Sequence, residues 1–334
     1  MIKLNQILRT QKGTALVTTL IFTTPMFCMM SLAIDAGYLI ATQTELQNAS
    51  DAAALAVMVD LSVEKDKADR IAMSFASRNS AGSASVGLIS NNVILGNYDF
   101  DAQKFHENQT PFNACRVRAT RDENVPAGKV ALFFAKMFGQ EEMALSRRAV
   151  AARDQRVVGV KANGHLMPIT VLKSVVDQDG DGSFDVNQRI TLSLEPKGPG
   201  NFGYLDLDSG SNDIPELRQY IESGFDQDFV IPESGSLQAS GLTGSKGQAL
   251  LSDLTDMIGK IAYYPVYTTV VEQGSLFEYT IVSIVALRIL SVNLTGAMGT
   301  RGIQAEIVES TSSSFIVREN SQINTTMQKL RLVE

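Results

Sequence analysis

The chain has no tryptophan, two cysteines and two histidines in 334 residues, and each scarcity closes off a class of chemistry. Two cysteines are too few for a disulfide framework. Cys28 falls in an apolar stretch and Cys115 far beyond it, so the two are not expected to meet within one chain. His106 and His165 have no ligand-like spacing, which argues against a His-rich zinc site. Basic residues are scattered, and the pair Arg147-Arg148 reads as too short a cluster to matter. With a formal net charge of −7, no nucleic-acid partner is expected, because phosphate binding needs a concentrated basic surface. Catalytic signatures are missing as well: no P-loop, no G-x-S-x-G and no Cys/His pairing stands out. Gly198-Pro199-Gly200-Asn201-Phe202-Gly203 matches G-x-G-x-x-G, but the strand-like Tyr204-Leu205-Asp206-Leu207 follows it where a dinucleotide site needs a helix. It reads as a Gly-rich turn, and a secreted hydrolase has no motif in its favour.

Charge is also missing from residues 13–34 (GTALVTTLIFTTPMFCMMSLAI), and here the absence is itself the signal. A helix of roughly 20 residues at about 1.5 Å per residue crosses the hydrocarbon core of a bilayer. Lys3, Arg9 and Lys12 precede the run and Asp35 is the first acid, so the N-terminus is expected in the cytoplasm and the remainder outside it. A cleaved secretory signal is the rival reading, with Ser31-Leu32-Ala33 as its cleavage site. Against it, the run exceeds the usual apolar core of about 7–15 residues. The helical pattern also continues through Tyr38, Leu39, Leu46, Ala49, Ala53 and Ala56, which predicts one helix from the membrane to beyond residue 60. Pro25 predicts a modest kink, and the Ala-rich residues 49–56 offer a smooth face for close packing.

Beyond the helix, residues 68–77 read as a second helix and 79–87 as a polar break. Strands are expected at 92–95 and 98–100 around a Gly96-Asn97 turn, at 114–119 and at 145–152. Residues 130–138 carry apolar side chains at helical spacing and stop at Gly139. From 159 the texture becomes β-rich, with strands at 166–171, 189–194, 204–207, 278–290 and 302–308, helices at 215–223 and 248–261, and a Gly/Ser-rich loop at 234–247. The fold class is therefore α+β. The expected domains are a basic leader (1–13), a transmembrane and extended helix (14–62), an α+β region (63–156) and a β-rich extracytoplasmic domain (157–334).

Several blocks together resemble the TadE/TadG-like family of Tad (Flp) pilus-assembly proteins. These are the apolar run followed by Asp35-Ala36-Gly37-Tyr38, the block Leu46-Gln47-Asn48-Ala49-Ser50-Asp51-Ala52-Ala53-Ala54-Leu55-Ala56, Gly96-Asn97-Tyr98-Asp99, Ala149-Val150-Ala151 after 130–139, and 200–207. The resemblance implies an inner-membrane, pilin-like or pilus-assembly protein with other Tad components as partners and a hetero-oligomeric state. Some relatives carry a von Willebrand factor A-type domain with an Asp-x-Ser-x-Ser metal motif, which this chain does not show. Pilin-like relatives can be cut after a leader Gly with Glu five residues on; Gly13 fits, but Thr18 stands where the Glu belongs.

One further motif carries chemistry. Asp177-Gln178-Asp179-Gly180-Asp181-Gly182-Ser183-Phe184-Asp185 reproduces the start of a calcium loop, with oxygen donors at positions 1, 3 and 5 and Gly at 6. The Ser183 carbonyl and the Asp185 side chain follow at 7 and 9, and Gln188 replaces the usual Glu at 12. Glu195, Asp206 and Asp208 are candidates for the missing carboxylate, and Phe184 can pin the loop to a core. The flanks read as strands, so a structural calcium loop in a β-rich domain is expected, with an Asp/Gly turn as the plain alternative. The combined expectation is a membrane-anchored, non-enzymatic Tad/Flp pilus-assembly or minor-pilin-like protein. The alternative is a calcium-stabilised surface adhesin, with the 234–247 loop and acidic segments as its ligand face.

Overall fold

The computed structural model describes residues 2–60, 64–193, 200–208, 213–242, 249–273, 276–295, 301–319 and 321–333, with the side chains described from residue 15 onward. The fold is α+β: one long apolar N-terminal helix is followed by a strand-rich region with a few short helices. The chain divides into two compact units, Met1–Asp99 with Lys104–Ala152 and Leu332–Glu334, and Phe100–Gln103 with Arg153–Arg331.

The first unit is organised by helix α1 (Ile2–Val59), which continues through Pro25. At about 1.5 Å per residue its 58 residues extend roughly 87 Å. Its two halves face different surroundings. From 15 to 34 every side chain is exposed except the half-buried Ser31, whereas Leu46, Ala49, Ser50, Ala53, Ala54, Val57 and Met58 are fully buried. Helix α2 (Lys65–Ser77) lays Ala68, Ala72 and Ala76, one stripe at i, i+4 spacing, into the same core. Alanine on both helices permits the close packing that the Ala-rich stretch predicts. The helix ends at Val59, short of the expected end beyond residue 60, with Asp60 already outside it; residues 61–63 lie outside the described set.

Strands β1 (Val93–Asp99), β2 (Lys104–Glu107), β3 (Ala114–Arg121) and β4 (Leu145–Asp154) are antiparallel in the order β2-β1-β3-β4. Ser50 ties α1 to this sheet: its Oγ accepts from the Ala119 N–H (3.2 Å) and donates to the Arg147 carbonyl (3.0 Å). The turn expected at Gly96-Asn97 is instead the middle of β1. Gly96 is there for proximity, since a Cβ on it would stand 2.2 Å from the His106 carbonyl oxygen. Arg121, buried, donates to the carbonyls of Ala127, Gly128, Lys129 and Ala81, and so holds the 127–129 turn and the hairpin of Ser80–Ala81 with Ala84–Ser85. Glu45 of α1 accepts the Gly82 N–H of that hairpin at 2.7 Å.

The second unit is built on β5 (Ile169–Leu172), β6 (Arg189–Ser193), β7 (Phe202–Leu205), β8 (Leu237–Leu242), β9 (Ile261–Gln273), β10 (Leu276–Asn293) and β11 (Gly302–Ile307). Its hydrogen-bonded path closes on itself: β5-β7-β8-β10-β9, with β9 returning parallel to β5. The far end of β10 carries β11 and then β6. Closure removes the exposed edges that invite strand addition. Period-two alternation sends Phe202 and Tyr204 into one core cluster and Leu205, Tyr267, Tyr279 and Ile281 into the other. Gly203 leaves the space that the Tyr279 ring occupies, for its Cβ would fall 2.1 Å from the Tyr279 hydroxyl.

Three sequence expectations give way here. Residues 248–261 are helical only over α5 (Leu251–Thr255), and Ile261 opens β9. The 234–247 loop contains β8, a strand of the closed sheet, while 243–247 lie outside the described residues. Residues 130–138 form a two-residue strand and a single 3-10 turn, not a helix. Helix α4 (Ile214–Ser223) does carry its Pro in the first turn and stop at Gly224, and the 278–290 run lies within the β10 strand.

Tyr204, Tyr264 and Tyr279 have buried hydroxyls without a hydrogen-bond partner, and burial pushes their pKa values above the ordinary tyrosine range. Burial raises Tyr267 to about 12. In the unfolded chain all four ionise near the usual value of about 10. The native state then holds the extra protons, so this contribution to stability is complete below about pH 10 and is lost as pH rises further. Alkaline titration followed by tyrosinate absorbance and circular dichroism should show these four ionising only with unfolding. Reversible ionisation near pH 10 with native circular dichroism would contradict the packing.

Candidate functional site

The exposed half of α1 is chemically prepared for a medium without water. Thr19, Thr24 and Ser31 donate their hydroxyls to the carbonyls of Ala15, Leu20 and Phe27 (2.8, 2.8 and 2.7 Å), and Thr23 donates to Thr19. Each of these hydroxyls is thus satisfied within the helix, as hydrocarbon requires. Leu16, Leu20, Phe22, Phe27 and Met29 are each at least 60% exposed. In water each such side chain forfeits roughly 1.5–3 kcal/mol relative to burial. The helix is long and apolar enough to cross a membrane, with a mean hydropathy of 1.7 in its most apolar window.

Asp35, one residue past this run, is only 3% exposed. Its carboxylate accepts three consecutive backbone N–H groups: Phe133 on Oδ1 (2.8 Å), and Phe134 and Ala135 on Oδ2 (3.0 and 2.6 Å). These donors open the 3-10 turn Ala135–Phe138, which closes at Gly139 (φ 88°) as the sequence predicts. The Tyr38 ring meets Phe133 edge-on with centroids 5.1 Å apart. Val130–Ala131 pairs with Glu142–Met143, so the clasped segment is the tip of a hairpin. That tip turns Phe133 (53% exposed), Met137 (79%) and Phe138 (66%) outward. Clustered exposed apolar groups of this kind mark an interaction surface. A Cβ on Gly37 would meet nothing within 4 Å, so in the Asp-x-Gly motif it is the aspartate that makes tertiary contacts.

Sequence reasoning singled out Asp35 as the end of the charge-free run but gave it no partner. Its donors lie about a hundred residues away, and a carboxylate bound by backbone N–H groups leaves no side-chain motif to find. The sheet also gathers basic groups that the linear sequence separates. Arg118 pairs directly opposite Arg148 between β3 and β4, and Arg116, Arg118, Arg147 and Arg148 line a cavity of about 620 Å³ with Gln47, Glu107 and Ser146. The pair Arg147-Arg148 is therefore part of a larger cluster. Glu107 forms a salt bridge with Arg116 in it.

The acidic loop lies in the second unit, between the one-turn helix α3 (Lys173–Val176) and β6. One carboxylate oxygen from each of Asp177, Asp179 and Asp181 lies within 4.8 Å of the others. Asp179 and Asp181 are exposed, whereas Asp177 is 6% exposed. Asp177 Oδ2 is 3.5 Å from Lys173 Nζ, and its buried Oδ1 has no hydrogen-bond partner. Asp185 stays outside the triangle, its Oδ2 accepting the Gln178 N–H at 2.8 Å. The Ser183 N–H donates to Asp181 Oδ1 (2.7 Å). Gln188 is exposed, with its backbone paired to Ile307 at the start of β6. Phe184 is buried in the larger core cluster as expected. Of the proposed extra ligands, Asp208 Oδ2 accepts from the Tyr220 hydroxyl at 3.3 Å, Asp206 follows β7, and Glu195 lies outside the described residues. Gly198 and Pro199 of the G-x-G-x-x-G match also lie outside them, and β7 begins within the match, at Phe202, and continues past it where a nucleotide site needs a helix.

Two family matches cover the first unit's main elements. The family described as Flp pilus-assembly TadE/G-like matches residues 13–60, the span and clasp of α1. The Tad-like Flp pilus-assembly family matches 41–151, which includes α2, the sheet and the hairpin tip. Residues 13–151 thus match two Tad-like Flp pilus-assembly families, one through the span and one through the unit that follows it. No curated protein and no solved structure matches it. The Asp35 clasp joins the two Tad matches, its carboxylate lying in the first and its three donors in the second.

Replacing Asp35 with Ala leaves three clasp N–H groups without their acceptor, and Asp35→Asn presents an NH₂ group toward donors. In detergent micelles both variants should show faster tryptic cleavage at Lys136 than the parent, Ala more than Asn, with the sheet core still protected. Unchanged cleavage would show that the clasp does not hold the tip.

Proposed function

We propose that this protein is a membrane-anchored, non-catalytic component of Tad/Flp pilus assembly. Its N-terminus lies in the cytoplasm, residues 13–34 span the inner membrane, and everything from Asp35 onward lies on the far side. The observation that carries the proposal is the joining of a lipid-compatible half-helix to a Tad-like unit through Asp35. Because the clasp fastens the 133–138 tip to the residue that ends the span, Phe133, Met137 and Phe138 stand at the level where hydrocarbon gives way to headgroups. Apolar side chains gain there what they would lose in water. Lys136, on the same tip, has a stem long enough to lie along that surface with its ammonium in the headgroups.

Other Tad components are the partners this reading supplies, met through α1 and through the surface of the first unit. The pilin-like and hetero-oligomeric readings belong to this proposal. Ser-rich loop chemistry lends the adhesin alternative less support, because β8 occupies part of the segment assigned to its ligand face.

Deleting residues 14–34 should move the protein from the membrane to the soluble fraction and abolish pilus formation in cells carrying the assembly system. Protease added outside spheroplasts should digest both units of the intact chain. A deleted form that still supports pili, or units protected from external protease, would contradict the proposal.

A further inference from the structure

We propose that Asp177, Asp179 and Asp181 form a structural calcium site in the second unit. The three carboxylates alone would be an acidic turn. What distinguishes them is Asp177, which is 6% exposed and has an Oδ1 buried without any hydrogen-bond donor. A buried carboxylate oxygen with no donor is costly unless a cation meets it. Among the described residues, the cation beside Asp177 is Lys173, on the other oxygen at 3.5 Å. Asp179 and Asp181 bring their own oxygens to within 4.8 Å of the Asp177 ligand oxygen, close enough for one ion to touch all three.

The donors are all oxygen, which selects a hard cation over zinc or copper. Calcium takes six to eight oxygens at about 2.3–2.6 Å in flexible geometry, whereas magnesium demands a tight octahedron at about 2.0–2.1 Å. A loop with left-handed glycines at Gly180 (φ 74°) and Gly182 (φ 92°) suits the former. By the pattern of calcium loops, the Ser183 carbonyl and, through water, Asp185 would add to these three oxygens, with Gln188 or solvent at the last position. The ion would fix a loop whose next residue, Phe184, is buried in the core and held at both backbone groups by Thr325 Oγ1. Calcium binding would thus stiffen the connection between α3 and β6.

The test uses the full-length protein in detergent micelles, stripped with chelator and titrated with calcium by calorimetry, with thermal unfolding measured in parallel. One calcium should bind and raise the unfolding midpoint. Asp181→Asn, at an exposed position that folding tolerates, should weaken binding by about tenfold or more, and Asp177→Asn with Asp179→Asn should abolish both heat and midpoint shift. No heat with the parent, an unaltered Kd in Asp181→Asn, or magnesium binding as tight as calcium would overturn the proposal. None of these outcomes depends on pilus assembly, so the site and the anchored-component reading stand or fall separately.

Discussion

Three backbone N–H groups converging on the Asp35 carboxylate set the terms for everything above and below them in the first unit. A hairpin tip that points apolar side chains outward has backbone donors that water would ordinarily satisfy. At the bilayer surface proposed for this tip, water is scarce and unpaired donors are expensive. Asp35 supplies the acceptors from the helix itself, so Phe133, Met137 and Phe138 can be presented without stranding the backbone behind them. Charge-assisted bonds of this kind are stronger than neutral ones. The same contact fixes the position of the tip along α1.

Farther along, α1 changes partners without changing conformation. Between residues 15 and 34, Thr19, Thr23, Thr24 and Ser31 bond their hydroxyls within the helix, and apolar side chains are exposed. From Leu46 the buried face carries alanines and Ser50, against which α2 and the sheet pack. In the second unit the constraint is closure: five strands satisfy one another's edges around a buried, tyrosine-rich core. The acidic loop hangs from this frame with Phe184 as its buried foot.

The long helix was legible because its signals are local: an uncharged run, then alanines at helical spacing. So were α4, with Pro at its start and Gly224 at its stop, and β10, bounded by Glu278 and Arg288 within a β-branched run. Legibility failed where tertiary contacts decide. Val130–Phe138 has helical spacing, but the Asp35 carboxylate captures its backbone donors and leaves one 3-10 turn. Gly96-Asn97 looks like a turn, yet the glycine is there to let β2 pass closely. Ile261 has the spacing of a helix face but starts a thirteen-residue strand paired along its length with β10. The acidic loop was visible as a motif, and the burial of Asp177 that gives it chemical weight was not.

The central claim is that the Asp35 clasp seats the 133–138 tip at the membrane surface. Because the chain has no tryptophan, Phe138→Trp gives a single tryptophan at that tip, excited selectively over the tyrosines. Its emission would be measured in vesicles whose lipids carry bromine at defined depths. Blue-shifted emission, quenched most by bromines nearest the headgroups and relaxed toward water when Asp35→Ala is added, is the predicted result. Solvent-like emission that no brominated lipid quenches would contradict the account.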